Sequence, residues 1–102
     1  RQDDEALEAM AQTILAEVAT DEDGQILLQA NALASHLPAL RRRVLRLAGA
    51  RVGLTELTAT HLQALDALVS NWHGQGPVDL PAGQALREAK TGRMWLRATS
   101  ER

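Results

Sequence analysis

The residues of this chain that are best suited to chemistry are five arginines that lie close together. Planar guanidinium groups bind phosphate in a bidentate geometry, so a cluster of them is typical of a surface that contacts phosphate groups. Helical spacing places four of them on or beside one outer helix face, and the fifth follows one turn beyond. These candidate residues are Arg41, Arg42, Arg43, Arg46 and Arg51.

The distribution of charge supports two interpretations of this cluster. Residues 1–23 hold eight acidic residues and one arginine, whereas residues 24–102 hold five acidic and ten basic residues. Such segregation indicates a nucleic-acid or other anionic partner for the basic part. The alternative is a solvated helix face whose arginines neutralise the acidic first helix.

Motifs for catalysis and metal binding are incomplete. The chain has neither a P-loop nor an HExxH pair, and His36, His61 and His73 lack the spacing of metal ligands. Residues 90–92 (KTG) match one box of the penicillin-binding enzymes, but the Ser-x-x-Lys nucleophile box and the Gly-x-Ser-x-Gly elbow of other hydrolases are missing. We therefore predict no catalytic residue, no metal site and no cofactor site in this chain.

Aromatic residues are scarce, which bears on how the chain would contact RNA. Trp72 and Trp95 are the only aromatic residues besides the histidines, and both lie in apolar patterns. Readout of single strands by base stacking is therefore not expected. Contact with the backbone and shape of a folded RNA is the favoured mode.

Length and composition indicate one cytoplasmic domain. The chain has 102 residues, of which 45% are hydrophobic, mainly alanine and leucine, so we expect a thin core that leans on neighbouring domains or on self-association. It has no cysteine, which excludes disulfides and thiolate metal sites and fits a reducing cytoplasm. No apolar run is long enough to span a membrane. Because it begins with Arg1, we expect it to be a segment of a longer protein.

Three helices are predicted from apolar periodicity. The first carries a single apolar stripe from Leu7 to Val18 and ends at residues 21–24. The second begins at Pro38 and carries the arginines on its outer side. The third begins after Thr58, with a hydrophobic staple around that cap, and its buried stripe runs on to Trp72. Residues 25–36 are ambiguous: the pattern allows a short extended stretch over 25–28 and a short helix that is capped by Asn31 and runs through His36.

The period then changes to that of strands. Residues 78–80, 85–89 and 94–97 read as short strands, separated by turns at 81–83 and 90–92. The predicted fold class is α+β, predominantly helical, with about three main helices followed by a small antiparallel β-meander. We predict a linker-type amphipathic helix over 1–23 and a substrate-binding accessory domain over 24–102.

Several segments together resemble the bacterial tRNA(Ile)-lysidine synthetases, in their actinobacterial form. Residues 37–46 (LPALRRRVLR) resemble that family's "LP-x-L-x-RRVLRR" helix, and residues 57–62 (LTATHL) its "LT-x-x-H" helix start. Residues 72–83 (WHGQGPVDLPAG) and 92–96 (GRMWL) are similar to its closing strands and turn, and residues 1–7 to the linker helix after its catalytic domain. Ala82 stands where the family usually has the first turn glycine.

The resemblance implies a function for the five arginines. Members of the family use ATP, with Mg²⁺, to ligate lysine to the wobble cytidine of tRNA(Ile), and their Ser-Gly-Gly-x-Asp-Ser loop belongs to an N-terminal catalytic domain. The resemblance therefore implies a tRNA-binding, specificity-setting domain whose partners are tRNA(Ile) and the upstream catalytic domain of the same chain, with no membrane partner. The alternative is a helical protein-interaction or dimerisation module, in which the chain forms a homodimer and has no direct RNA role.

Overall fold

The computed structural model describes residues 2–99, which form four helices and five strands. The elements in chain order are α1 (Gln2–Val18), β1 (Ala19–Glu22), β2 (Gln25–Gln29), α2 (Ala30–Ala34), α3 (Pro38–Arg51), α4 (Ala59–Ser70), β3 (Val78–Leu80), β4 (Gly83–Arg87) and β5 (Arg93–Ala98). The predicted α+β class and the C-terminal antiparallel meander are confirmed. Among the described helices, none is both long enough and apolar enough to cross a membrane.

The five strands form one antiparallel sheet in the order β1-β2-β5-β4-β3. The last strand of the chain therefore lies between the N-terminal hairpin and the rest of the meander. The middle strand of the meander spans residues 83–87 rather than the predicted 85–89, because Leu80 pairs with Gly83 across a two-residue turn. Ala82 in that turn has φ +66°, a backbone conformation that favours glycine.

The first helix ends at Val18 rather than at the predicted residues 21–24, because the β1–β2 hairpin begins directly after it. Ala19 pairs with Leu28 and Glu22 with Gln25, and Asp23 and Gly24 make the turn. Acidic residues are poor strand formers, but three of the four β1 side chains are exposed at the sheet edge, where charge also discourages pairing with another chain. The predicted boundary between residues 23 and 24 falls in this turn, and the division into linker helix and accessory domain stays a prediction.

Both elements that were considered for residues 25–36 are present in the structure, one directly after the other. The extended stretch is β2, and the short helix is α2, which begins at Ala30 and leaves Asn31 inside the helix rather than at its cap. Ile26 and Leu28 of β2 share one face of the sheet with Ala85, Met94 and Leu96, and all five side chains are fully buried in the core.

Helix α4 begins as the sequence predicts and ends earlier. The Thr58 hydroxyl accepts a hydrogen bond from the His61 backbone N–H, and His61 Nδ1 accepts one from the Thr58 N–H at 2.9 Å. The helix ends at Ser70, so the prediction that its buried stripe runs on to Trp72 is wrong. Asn71 leaves the helical conformation with φ −144°, and the His73 N–H instead donates to the side chain of Gln75 at 2.7 Å.

Candidate nucleic-acid interface

Helix α3 presents its arginines because its opposite side is packed into the core. Leu40, Val44, Leu45 and Ala48 are buried. This apolar stripe follows helical spacing, so the residues between its members point away from the core to differing extents. The five arginines therefore differ in what they contact, and the structure separates them into three groups.

Arg41 does not lie on the outer face, contrary to the prediction. Its guanidinium forms a bidentate ion pair with Asp66 of α4, in which the Nε–Oδ1 distance is 2.7 Å and the Nη2–Oδ2 distance is 3.0 Å. Its Nη1 also donates a hydrogen bond to the carbonyl of His36 at 2.7 Å. The Arg41 side chain is 11% exposed and that of Asp66 8%. Position 41 borders the buried stripe through Leu40 and Val44, which turns its side chain toward α4.

The pKa of Arg41 is shifted in keeping with this pairing. The hydrogen bonds that Arg41 donates to Asp66 raise the pKa of Arg41 above its usual value, burial opposes that shift, and the attraction of the carboxylate adds to it. The guanidinium is therefore charged at every physiological pH and fully engaged inside the protein, where it ties α3 to α4.

Arg43 and Arg51 face the acidic N-terminal part of the chain. Arg43 lies 3.3 Å from Asp4 and 3.5 Å from Glu8 of α1, and Arg51 lies 2.9 Å from Asp21 of β1. These pairs agree with the alternative interpretation of the charge distribution, in which the arginines neutralise the acidic N-terminal part. All three are partly exposed, and exposed pairs of this kind contribute roughly 0–1 kcal/mol each.

Arg42 and Arg46 are exposed, as is Arg51, but unlike Arg51 they pair with no described acidic residue of the N-terminal part. They lie one helical turn apart on the same face. Arg46 donates a hydrogen bond from Nη1 to the carbonyl of Leu57 at 3.1 Å. It forms no ion pair with an acidic residue in the part of the chain that the structure describes. Arg42 makes no ion pair within residues 2–99. We define the α3 arginine surface as Arg42, Arg43, Arg46 and Arg51.

The groove beside this surface has mixed charge. It lies between α1 and α3 and is lined by Asp4, Glu5, Glu8, Ala9, Gln12 and Arg43. Three carboxylates oppose one guanidinium there, so phosphate is not favoured inside the groove. The part of the α3 arginine surface that faces away from α1, Arg42 and Arg46, is the part best placed to meet an anion.

Two further arginines stack on the indole rings, and the sequence analysis did not single them out. The Arg87 guanidinium lies 5.0 Å from the ring centre of Trp72, donates to the carbonyls of Leu68 and Val69 at the end of α4, and reaches the side chain of Asn31. These contacts make it a clamp between sheet and helices. Arg97 lies 4.4 Å from the ring centre of Trp95 on β5 and is exposed.

The histidines are dispersed. His36 offers its carbonyl to Arg41, His61 belongs to the α4 cap, and His73 lies in the loop after α4. No group of three His, Cys, Asp or Glu side chains within the described part of the chain is arranged to hold a metal ion.

Comparison with known proteins gives a consistent answer. A family model described as the TilS substrate binding domain matches residues 28–91, which contain all five α3 arginines but not β5. The chain is also 37% identical over 89 residues to a tRNA(Ile)-lysidine synthase of Leifsonia xyli, covering 86% of this chain and 27% of that protein.

Two further relatives carry the same name. The Rhodococcus erythropolis tRNA(Ile)-lysidine synthase is 37% identical over 100 residues, which is 94% of this chain and 30% of that protein. The Corynebacterium diphtheriae tRNA(Ile)-lysidine synthase is 48% identical over 67 residues, which is 61% of this chain and 20% of that protein. The chain therefore spans less than a third of the length of each of these relatives.

Proposed function

The chain belongs to the TilS substrate-binding domain family, and on that premise we propose that it is the tRNA-binding domain of a tRNA(Ile)-lysidine synthase. The observation that carries the proposal is the family match over residues 28–91, which includes the whole of α3 with its exposed Arg42 and Arg46. In this proposal the domain holds tRNA(Ile) and contributes to specificity.

Contact with RNA is proposed to run through the α3 arginine surface. Arg42 and Arg46 would meet phosphates directly, because their guanidiniums are exposed and bind phosphate oxygens with planar, two-pronged geometry. Contacts of this kind fix the position of a folded RNA without reading its bases.

Arg43 and Arg51 have a second, conditional role in this proposal. Their carboxylate partners are partly exposed and hold them weakly, so a phosphate with higher charge density can replace Asp4, Glu8 or Asp21. The acidic N-terminal part would then act as a competitor that phosphate must displace.

Arg41 is proposed to hold α3 in place rather than to contact RNA. Its ion pair with Asp66 fixes the angle between α3 and α4, so it sets the orientation of the α3 arginine surface while its own donors stay occupied.

The ligation itself is proposed to take place in another part of the same protein. Among residues 2–99, the histidines and the carboxylates have structural or solvated positions, and the proposal gives them no catalytic role. ATP and Mg²⁺ would be bound by an upstream catalytic domain, and this chain would work in the cytoplasm beside that domain.

The test compares single charge reversals of equal size at two exposed sites. Arg42→Glu and Arg46→Glu are measured against Lys90→Glu, which lies in the exposed turn before β5. We expect each α3 variant to bind a fluorescent tRNA(Ile) transcript about tenfold more weakly than the Lys90 variant at moderate salt, because one phosphate contact is lost. Equal affinities for all three variants, measured by fluorescence anisotropy, would rule out this surface.

A second candidate is supported by exposed apolar side chains. Leu37 is 72% exposed and Met10 49%, and among the described residues these are the two large hydrophobic side chains that are exposed. They favour a protein-interaction or dimerisation module. Sedimentation of the chain over a range of concentrations distinguishes this function, since a dimerisation module would associate reversibly and Leu37→Ser or Met10→Ser would weaken that association.

A further inference from the structure

The sheet has a second face that the core residues within 2–99 do not cover. Strand register aligns the residues that alternate with the core positions on β2, β5 and β4. We call these residues the open sheet face: Gln25, Leu27, Gln29, Gln84, Leu86, Arg93, Trp95 and Arg97. All but Leu27 retain solvent exposure.

Trp95 lies at the centre of this face. It pairs with Leu27 on one neighbouring strand and with Leu86 on the other. Leu27 is 5% exposed but does not belong to the main core cluster, which shows that it is covered from the open side by its neighbours there. The three side chains form a short apolar ladder across the sheet, with the indole partly open to solvent.

The surroundings of Trp95 are positive and polar. Arg97 stacks on the indole at 4.4 Å from the ring centre, and Arg93 lies two residues before it on the same strand. Glutamine amides surround them. Strands β2, β4 and β5 contain no acidic residue, but three carboxylates border the face. Glu88, which follows β4, lies 3.8 Å from Arg93, Asp79 of β3 accepts a hydrogen bond from Gln84, and Glu22 lies on β1. Arg97 forms no ion pair within residues 2–99 and carries the unpaired positive charge of the face.

We propose that the open sheet face binds unpaired nucleotides of RNA, with Trp95 and Arg97 as the stacking platform. Every base has a face that stacks on an indole or a guanidinium plane, and the exposed positive charge of Arg97 complements the phosphates between bases. Amide side chains such as Gln25 and Gln84 donate and accept hydrogen bonds at exposed base edges. The inference rests on the proposed function and adds a second RNA surface to it.

The stacking platform of this face, Trp95 and Arg97, lies outside the family match. The matched residues end at 91, before β5 begins, so neither Trp95 nor Arg97 takes its role from the comparison. It also reverses an expectation from the sequence. Trp95 follows Met94 and precedes Leu96 in an apolar run, but both of those neighbours point into the core, and strand alternation turns the indole the other way.

The first experiment uses the indole as its own reporter. In a Trp72→Phe background, which keeps an aromatic ring beneath Arg87, all tryptophan fluorescence comes from Trp95. Titration with a ten-nucleotide oligouridylate should quench this fluorescence to saturation, and an RNA duplex of equal length should quench it much less. A chain in which only Trp72 remains, Trp95→Leu, serves as the control and should show no quenching.

The second experiment measures affinity by anisotropy of a labelled oligouridylate. Stacking predicts about tenfold weaker binding for Trp95→Leu. Because that variant removes a half-buried ring, Arg97→Gln is measured beside it, since its side chain is exposed and its loss leaves the core intact. Arg97→Gln should weaken binding severalfold. Unchanged affinity in both variants, or no quenching of Trp95, would show the inference to be wrong.

The outcomes separate this inference from the proposed function. Loss of tRNA(Ile) binding in Arg42→Glu with unchanged oligouridylate binding in Trp95→Leu would leave the proposed function standing and remove the inference. Loss of oligouridylate binding alone would support the inference and remove the assigned role of α3. If Trp95→Leu instead converts a dimer into a monomer and leaves RNA binding unchanged, the open sheet face is an interface between protein chains and the inference fails.

Discussion

The α3 arginine surface and the open sheet face both present positive charge, but by opposite routes. On α3 the arginines are adjacent in sequence, but acids from α1 and β1 come to lie against Arg43 and Arg51. On the sheet, only two arginines and one tryptophan are close in sequence. Glu88 lies 3.8 Å from Arg93, whereas register surrounds Trp95 and Arg97 with neutral side chains from two other strands. The run of arginines in the sequence therefore suggests more exposed positive charge on α3 than the structure has. On the sheet, the sequence spacing of the arginines suggests less exposed positive charge than the structure has.

The largest expected effect concerns the buried Arg41–Asp66 ion pair, which links α3 to α4. Asp66→Asn leaves the Arg41 guanidinium buried without a carboxylate, which should lower the free energy of unfolding by about 3–5 kcal/mol. Urea unfolding followed by circular dichroism measures it. Asp21→Asn, which breaks the exposed pair with Arg51, is the matched control and should lower it by less than about 1 kcal/mol. Similar losses in the two variants would mean that Arg41 is not anchored as described.

A smaller effect is expected in the turn that leads into the open sheet face. Ala82 holds a left-handed backbone conformation with φ +66°, which disfavours a side chain by about 1 kcal/mol. Ala82→Gly should therefore raise the unfolding free energy by roughly that amount. Gly83→Ala is the contrasting change, because its added Cβ would lie 2.6 Å from the Arg97 carbonyl oxygen, and it should destabilise the sheet. Destabilisation by Ala82→Gly would contradict the turn geometry.

The smallest effect tests whether acids mask α3. Asp4→Asn with Glu8→Gln removes both partners of Arg43 and should raise affinity for a tRNA(Ile) transcript about two- to fivefold, in line with the weakness of exposed pairs. Asp3→Asn with Glu17→Gln makes the same charge change on α1 at residues that form no ion pair within the described part of the chain. An equal gain in both double variants would point to net charge rather than to release of Arg43.

The parts of the fold that depend on local signals were predictable. The Thr58 cap, the staple residues around it and the C-terminal meander all follow from short sequence patterns. The β1 strand was not, because its acidic residues have low strand propensity and only pairing with β2 makes the strand stable. The insertion of β5 between β2 and β4 depends on contacts between distant residues, which no local pattern encodes.

The candidate site shows the same division. The sequence predicted an arginine-rich helix. It was not inferred that the Arg41 side chain points toward α4 instead of toward solvent. One signal pointed to it. Asp66 lies four residues after Leu62 on the apolar side of α4, and a carboxylate at a core position requires a buried partner. The position of Trp95 was equally open to inference, since alternation along a strand separates it from Met94 and Leu96.

The most direct test of tRNA binding through α3 is the salt dependence of affinity for a tRNA(Ile) transcript. The logarithm of the association constant falls linearly with the logarithm of salt concentration, by roughly 0.7–0.9 for each phosphate contacted. If Arg42 and Arg46 each meet a phosphate, the slope for Arg42→Gln with Arg46→Gln should be shallower than the wild-type slope by roughly 1.4–1.8. A slope equal to that of the wild type would contradict the account.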